Sequence, residues 1–203
     1  MITGITKTKL AGVLIIQNKI HGDLRGCFLE NYREDAFNYS VSDNTKFVQD
    51  NISLSRGKNV IRGLHYQLGH PQDKLVTVLA GLILDVVVDI TKDSPTFGQH
   101  ISVILQAFDG QSIFVPRGYA HGFKTMDKGN NIVCYKTTNI YHPEDAYTIQ
   151  WNDEKLGIDW LFTTDEIAQN PDINTLVKMS NQDRNAPCLN VIDKNYLPTL
   201  NML

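Results

Sequence analysis

Little in this 203-residue chain announces a chemistry by itself. No basic block is present: 19 Lys and Arg stand against 22 Asp and Glu, and the formal charge of -3 is spread along the chain. A surface that tracks a nucleic-acid backbone is therefore not expected, although a local basic pocket for one phosphate-bearing ligand remains compatible. Cysteine is scarce. Cys27, Cys134 and Cys188 are widely spaced, odd in number and without a CxxC pair, which reads as reduced thiols in a cytosolic protein. The segment MITGITKTKLAGVLIIQNK holds no apolar run long enough for a signal peptide or a membrane span, so no membrane partner is expected. A GxSxG elbow is missing, as are GxGxxG and GxxxxGK[ST], which removes the usual signatures of serine hydrolases, dinucleotide binders and P-loops.

What is present is core material and strand signal. Apolar residues make up 42% and charged residues 20%, an ordinary balance for a globular chain. Strands are expected at GVLIIQN (12–18), GCFLENY (26–32), KFVQDNISLS (46–55), NVIRGLHYQ (59–67), KLVTVLAGLILDVVVDI (74–90), HISVILQ (100–106), QSIFVPR (111–117) and IVCYKTT (132–138). These runs are rich in β-branched and aromatic residues and are parted by clusters such as HGDLRG, KDSPTFG and DKGNN. Asp85 and Asp89 punctuate a run too apolar for a one-sided sheet, so GLILDVVVDI is expected to be buried on both sides. In HISVILQ, Ile101, Val103 and Leu105 share a face. One short helix is expected at REDAFNYSV (33–41), and one or two more in the polar region after Trp160, broken at Pro171, before a loosely held tail NYLPTLNML. Many short strands at regular spacing predict a single all-β domain over 1–203, a sandwich or barrel with a ligand in its mouth, and residues 161–203 as a polar C-terminal appendage.

The stretch VIRGLHYQLGHPQDKLV, residues 60–76, concentrates polar groups beside strand signal. A metal site needs about three or four convergent ligands. Metal-binding barrels of this kind use a His-x-His pair plus a carboxylate, but here the pair reads His65-Tyr66-Gln67, with no acid close behind. His121, in the expected turn PRGYAHG (116–122), does not make up the set, so no metal is expected. Cys134 has no histidine near it in sequence. Acid/base chemistry is left: histidine is suited to taking a proton near neutral pH, and Arg62 and Lys74 supply charge for a phosphate or an oxyanion. Any one Arg, Lys or His in such a region is more often a hydrogen-bonded surface group, and Tyr135 alone reads as well as a core aromatic. His70, in the intervening turn, carries no functional reading. Spacing does not name a substrate.

Several motifs together do. GDLRGCFLE (22–30), FVQDNIS (47–53), RGLHYQ (62–67), QDKLV (72–76), GLILDVVVDI (81–90), DSPTFG (93–98), VPRGYAHGF (115–123), YKTTNIY (135–141) and WNDEKLGIDW (151–160) run in the same order as in one family. The chain resembles the dTDP-4-dehydrorhamnose 3,5-epimerases over about four fifths of its length. The resemblance implies a cupin-type jelly roll with a few short peripheral helices. It also implies a cytosolic homodimer acting without cofactor on a nucleotide-activated 4-keto-6-deoxy sugar. Residue by residue it implies His65 as base, Asp183 as its orienting carboxylate, Tyr135 as acid and Lys74 as counter-charge to an enolate. Arg62, His121 and Tyr141 would line the sugar and pyrophosphate pocket. Gln49 and Asn51 would contact the nucleotide, as would Arg25 and Glu30 by reaching across the dimer.

The chain also departs from the family pattern. Ala146 stands where a glutamate is usual, Gln182 where a lysine is usual and Leu161 where a proline follows IDW. The segment 161–179 is longer than typical, and the hairpin near Lys128 to Asn131 carries one extra residue. Those changes leave open a single-carbon epimerase, another nucleotide or 4-keto sugar such as a heptose, and a binding protein without turnover.

Overall fold

The computed structural model describes residues 1–170 and 172–200. The chain forms β1 (Ile2–Lys7), β2 (Leu14–Asn18), β3 (Ile20–Asp23), β4 (Gly26–Leu29), α1 (Glu34–Ser40), β5 (Gln49–Arg56), β6 (Ile61–Gln67) and β7 (Lys74–Ala80). It continues through β8 (Leu82–Asp89), β9 (His100–Gln106), β10 (Gln111–Val115), β11 (Tyr119–Thr125), β12 (Asn130–Thr137) and β13 (Ala146–Thr148) to α2 (Thr164–Gln169), α3 (Ile173–Leu176) and α4 (Asn181–Arg184). All ladders between named strands are antiparallel. They build a six-stranded sheet, β1-β2-β10-β7-β12-β5, a five-stranded sheet, β13-β6-β11-β8-β9, and a separate β3–β4 hairpin. This is the expected jelly-roll class, with the short helices at its periphery.

Strand alternation sorts the side chains into three cores. Between the sheets lie Val76, Val78, Ile83, Val87, Leu105, Ile113 and Val133, with Ile101 and Val103 packed against them. The outer face of the five-stranded sheet, with Leu84, Val86 and Val88, is covered by the C-terminal region, including Trp151, Trp160, Val177, Leu189 and Leu197. Trp160 packs edge-on against Trp151 at 5.9 Å and donates its indole N–H to the Trp151 carbonyl at 2.8 Å. Burying a large apolar side chain contributes about 1.5–3 kcal/mol, so these residues dock the C-terminal region firmly. Phe37 of α1 joins Ile16, Leu75 and Phe114 on the outer face of the other sheet.

Four local expectations are corrected. The run 74–90 is two strands, because Gly81 adopts φ +80° and a Cβ there would meet Asn131 Oδ1 at 2.5 Å. The tight turn sends β7 and β8 into different sheets. Of PRGYAHG only residues 116–118 make the turn between β10 and β11: the strand begins at Tyr119, so His121 sits inside β11, every residue of which is buried. Strands β1, β3 and β13 are also unexpected: β3 and β13 carry one β-branched residue each, while β1, though rich in Ile and Thr, is interrupted by Gly4. The tail is held as far as residue 200: Leu197 is buried and Lys92 N donates to the Pro198 carbonyl at 3.0 Å. Pro171, the expected helix break, and residues 201–203 lie outside the described residues, while α2 and α3 flank that break.

Candidate active site

The two sheets part at one end around a cavity of about 560 Å³. The five-stranded sheet contributes Arg62, His65, Gln67 and His121, and the six-stranded sheet contributes Gln49, Asn51, Lys74 and Tyr135. Tyr141 enters from the loop after β12, and Gln182 and Asp183 from α4. Nine of the eleven residues singled out in the sequence therefore meet in one place.

His65 and His121 are register partners on β6 and β11. Gly63 brings these strands together: with φ +108°, a Cβ on it would meet the His121 carbonyl at 2.7 Å. Thr148 of β13 pairs with His65 on the other side and accepts a hydrogen bond from Gln182 Nε2 at 3.0 Å. This bond and the Ser180 cap, which accepts from Asp183 N at 3.0 Å, fix the short α4 at the cavity wall. Asp183, only 3% exposed, lies with Oδ1 2.6 Å from His65 Nε2. A buried carboxylate accepting the Nε2 proton leaves the lone pair on Nδ1, the nitrogen a substrate can use. The His65–Asp183 pair spans 118 residues of sequence.

Tyr135 lies on β12 opposite Asn51 and Val76, and so faces the cavity from the sheet opposite His65. Burial raises its phenol pKa; Arg62 opposes that effect and Tyr141 adds to it. Lys74 donates from Nζ to the His65 carbonyl at 3.4 Å. Desolvation lowers its ammonium to about 8, with Asp85 opposing the shift. Arg62 donates to Ser55 Oγ at 3.0 Å and to the Leu54 carbonyl at 3.1 Å, using two of a guanidinium's five N–H groups. Gln49 Nε2 donates to Asn51 Oδ1 at 2.7 Å, and Asn51 Nδ2 to the Tyr135 carbonyl at 3.4 Å. The cavity thus has a carboxylate held behind one histidine, two cations and a phenol on the opposing wall. That set can move a proton and stabilise an anion.

A second histidine–carboxylate pair stands beside the first, and sequence reasoning missed half of it. His121 Nε2 lies 2.8 Å from Asp85 Oδ2, while Asp85 is fully buried and its Oδ1 has no hydrogen-bond partner among the described residues. The available signal was an aspartate inside an otherwise apolar strand buried on both faces.

Arg25 and Glu30 do not line this chain's cavity. Arg25 sits at the tip of the β3–β4 hairpin, paired with Asp23 at 2.5 Å and 90% exposed. Glu30 pairs with the Met1 amino group at 2.9 Å and with Arg33 at 3.3 Å. Ala146 lies in the cavity wall as the cross-strand partner of Gln67. Among the described residues no three His, Cys, Asp or Glu side chains converge as metal ligands would. Cys134 is buried, its thiol pushed up to about 11 by desolvation and by Asp50. No helix among the described residues is long and apolar enough to cross a membrane.

Known proteins resemble this chain in sequence and in fold. A family profile described as dTDP-4-dehydrorhamnose 3,5-epimerase matches residues 7–191. The dTDP-4-dehydrorhamnose 3,5-epimerase of Salmonella typhimurium is 45% identical over 160 residues, covering 78% of this chain and 86% of that protein. The dTDP-6-deoxy-D-glucose-3,5-epimerase of Legionella pneumophila, solved in complex with dTDP-4-keto-L-rhamnose, superposes with a TM-score of 0.87 at 40% identity and covers 97% of each chain. A 3'-monoepimerase of Streptomyces bikiniensis, in complex with dTDP-quinovose, superposes with a TM-score of 0.82 at 27% identity, covering 96% of this chain and 93% of that one.

Proposed function

Since the chain belongs to the dTDP-4-dehydrorhamnose 3,5-epimerase family, and is thereby an isomerase, we propose that it inverts C3 and C5 of a dTDP-4-keto-6-deoxyhexose. The reaction would convert dTDP-4-dehydro-6-deoxy-D-glucose into dTDP-4-dehydro-L-rhamnose. Both carbons flank the C4 ketone, so loss of either proton gives an enolate. His65, held by Asp183, takes the proton through Nδ1. Lys74 stabilises the negative oxygen, and Tyr135 returns a proton from the opposite face. Arg62, His121 and Tyr141 line the pyrophosphate and sugar pocket, with Gln49 and Asn51 toward the nucleotide.

The observation that carries this reading is the 2.6 Å His65–Asp183 contact in a cavity whose opposite wall presents Tyr135. Inversion needs a base and an acid on opposite sides of one carbon, and two facing sheets supply that arrangement. A homodimer is part of the proposal: the β3–β4 hairpin is almost wholly exposed in one chain, with Phe28 at 69%. In a pair, Arg25 and Glu30 would serve the partner's cavity. Free thiols at Cys27, Cys134 and Cys188 and a nucleotide-sugar substrate support a cytosolic setting.

Turnover of dTDP-4-keto-6-deoxyglucose in heavy water is expected to place deuterium at both C3 and C5, and His65→Ala to abolish it. Deuterium at C3 alone would instead make this chain a single-carbon epimerase, the activity named for the Streptomyces bikiniensis protein. No exchange at either carbon, with binding intact, would favour another sugar or a binding role.

A further inference from the structure

Two irregular loops, 68–73 and 138–142, border the cavity mouth; Thr138 and Asn139 are bonded to Pro71, Gln72 and Asp73, and one further side chain, from β6, grips the second loop on both sides of Tyr141. Gln67, the last residue of β6, donates from Nε2 to the His70 carbonyl at 2.8 Å and to the Ile140 carbonyl at 3.4 Å. Its Oε1 accepts from His142 N at 2.9 Å. Both ends of the carboxamide are used, so its orientation is fixed: flipped, it would set its NH2 against the His142 N–H. Outside this tie the His70 and His142 rings stack at 3.7 Å and 12°. Asp145 closes the first loop by accepting from Gly69 N at 2.7 Å and His70 N at 2.6 Å. The second loop carries Tyr141, which lies outside any strand and is 55% exposed. Its amide donates to Gln49 Oε1 at 2.8 Å, so residues 140–142, beyond the anchored Thr138 and Asn139, are held by one glutamine from each sheet.

We propose that Gln67 is a positioning residue for the epimerase reaction, clamping the 138–142 loop so that Tyr141 forms a fixed wall of the substrate cavity. This rests on the reading above that Tyr141 meets the substrate. Position 67 lacks the second histidine of a metal-binding barrel, and its amide instead shapes the mouth. A glutamate there could accept from His142 N but could not donate to the two carbonyls, and a methionine could do neither.

The test uses full-length protein labelled with 3-fluorotyrosine, the Tyr141 signal being assigned by Tyr141→Phe. In Gln67→Met, and in the isosteric Gln67→Glu, the Tyr141 fluorine resonance is expected to shift toward free fluorotyrosine or to split. The resonances of buried Tyr66 and Tyr119 should stay in place, showing an intact fold. An unmoved Tyr141 resonance in both variants overturns the proposal. With dTDP-4-keto-6-deoxyglucose, KM should rise about tenfold while kcat changes less than about threefold, and the KM effect should vanish in a Tyr141→Ala background. Full multiplication of the two effects would show Gln67 acting independently of Tyr141, and would also overturn it. The fluorine result stands whether or not this sugar is turned over, so failure of the clamp and failure of the substrate reading are told apart.

Discussion

In the proposed reaction Lys74 is the counter-charge to the enolate, and burial sets that charge against the solvent pH. Its folded pKa of about 8 lies below the ordinary lysine value because the ammonium is desolvated. The free enzyme therefore loses the counter-charge as pH rises through 8. Above that point log(kcat/KM) should fall with a slope near -1, and Lys74→Met should cost roughly 10²–10³ in kcat at pH 7. A profile flat to pH 10 would remove Lys74 from the reaction. His65 and Lys74 were legible in sequence because RGLHYQ and QDKLV are compact motifs nine residues apart at those two positions. Asp183 was reachable only through family resemblance, since nothing local in SNQDR points to a histidine 118 residues away. Asp85 was visible as an oddity, but its partner depends on strand order that spacing does not encode.

At the level of elements, the described residues of the segment 161–179 do not line the mouth; they lie along the outer face and edge of the five-stranded sheet. Lys178 N donates to the Asn59 carbonyl at 2.8 Å and its carbonyl accepts from Ile61 N at 2.9 Å, which brings the chain along β6 toward α4. Glu166 of α2 pairs with Lys58 and Asn59. Lys124, 2% exposed, donates to the Leu161 carbonyl at 3.2 Å and lies 4.1 Å from the Phe162 ring centre. Burial lowers its pKa to about 8, with Glu166 and Asp159 opposing and Lys58 adding to the shift. Between pH 8 and the ordinary lysine value of about 10.5 the unfolded chain binds more protons than the folded one, so stability should rise with pH across that window. Lys74, lowered to about 8 as well, adds to the same rise, so Lys124→Met should remove about half of it and stabilise the fold at pH 7 by up to about 3 kcal/mol, read by urea unfolding. A destabilised variant would show that the carbonyl and ring contacts outweigh the burial cost. The strands were readable where β-branched residues recur, as in β9, which matches its expected bounds, 100–106. Strand β11 was not readable, because YAHGFKT offers glycine, histidine and lysine, and it is strand only because β6 and β8 flank it.

For the molecule as a whole, one chain leaves apolar surface that a partner copy would cover. Leu24 and Phe28 on the hairpin are exposed, as are Ile52 and Leu54 on edge strand β5. The double substitution Phe28→Asp, Ile52→Asp should give a monomer in sedimentation velocity and lower activity. An unchanged species would place the interface elsewhere. Fold class was legible because regularly spaced strands allow few all-β solutions, whereas the partition into sheets depended on turns such as Gly81. The sandwich has a further consequence for selection. His65 and Tyr135 belong to different sheets, so the gap between the proposed proton acceptor and proton donor is set by the thickness of the shared core beside them, among it Val76, Val78 and Val87. Those valines never need to touch a sugar, yet they act as the shim of a calliper: shaving a methyl from one resets the jaws. Sequence drift in this patch should therefore be constrained by reach as well as by stability.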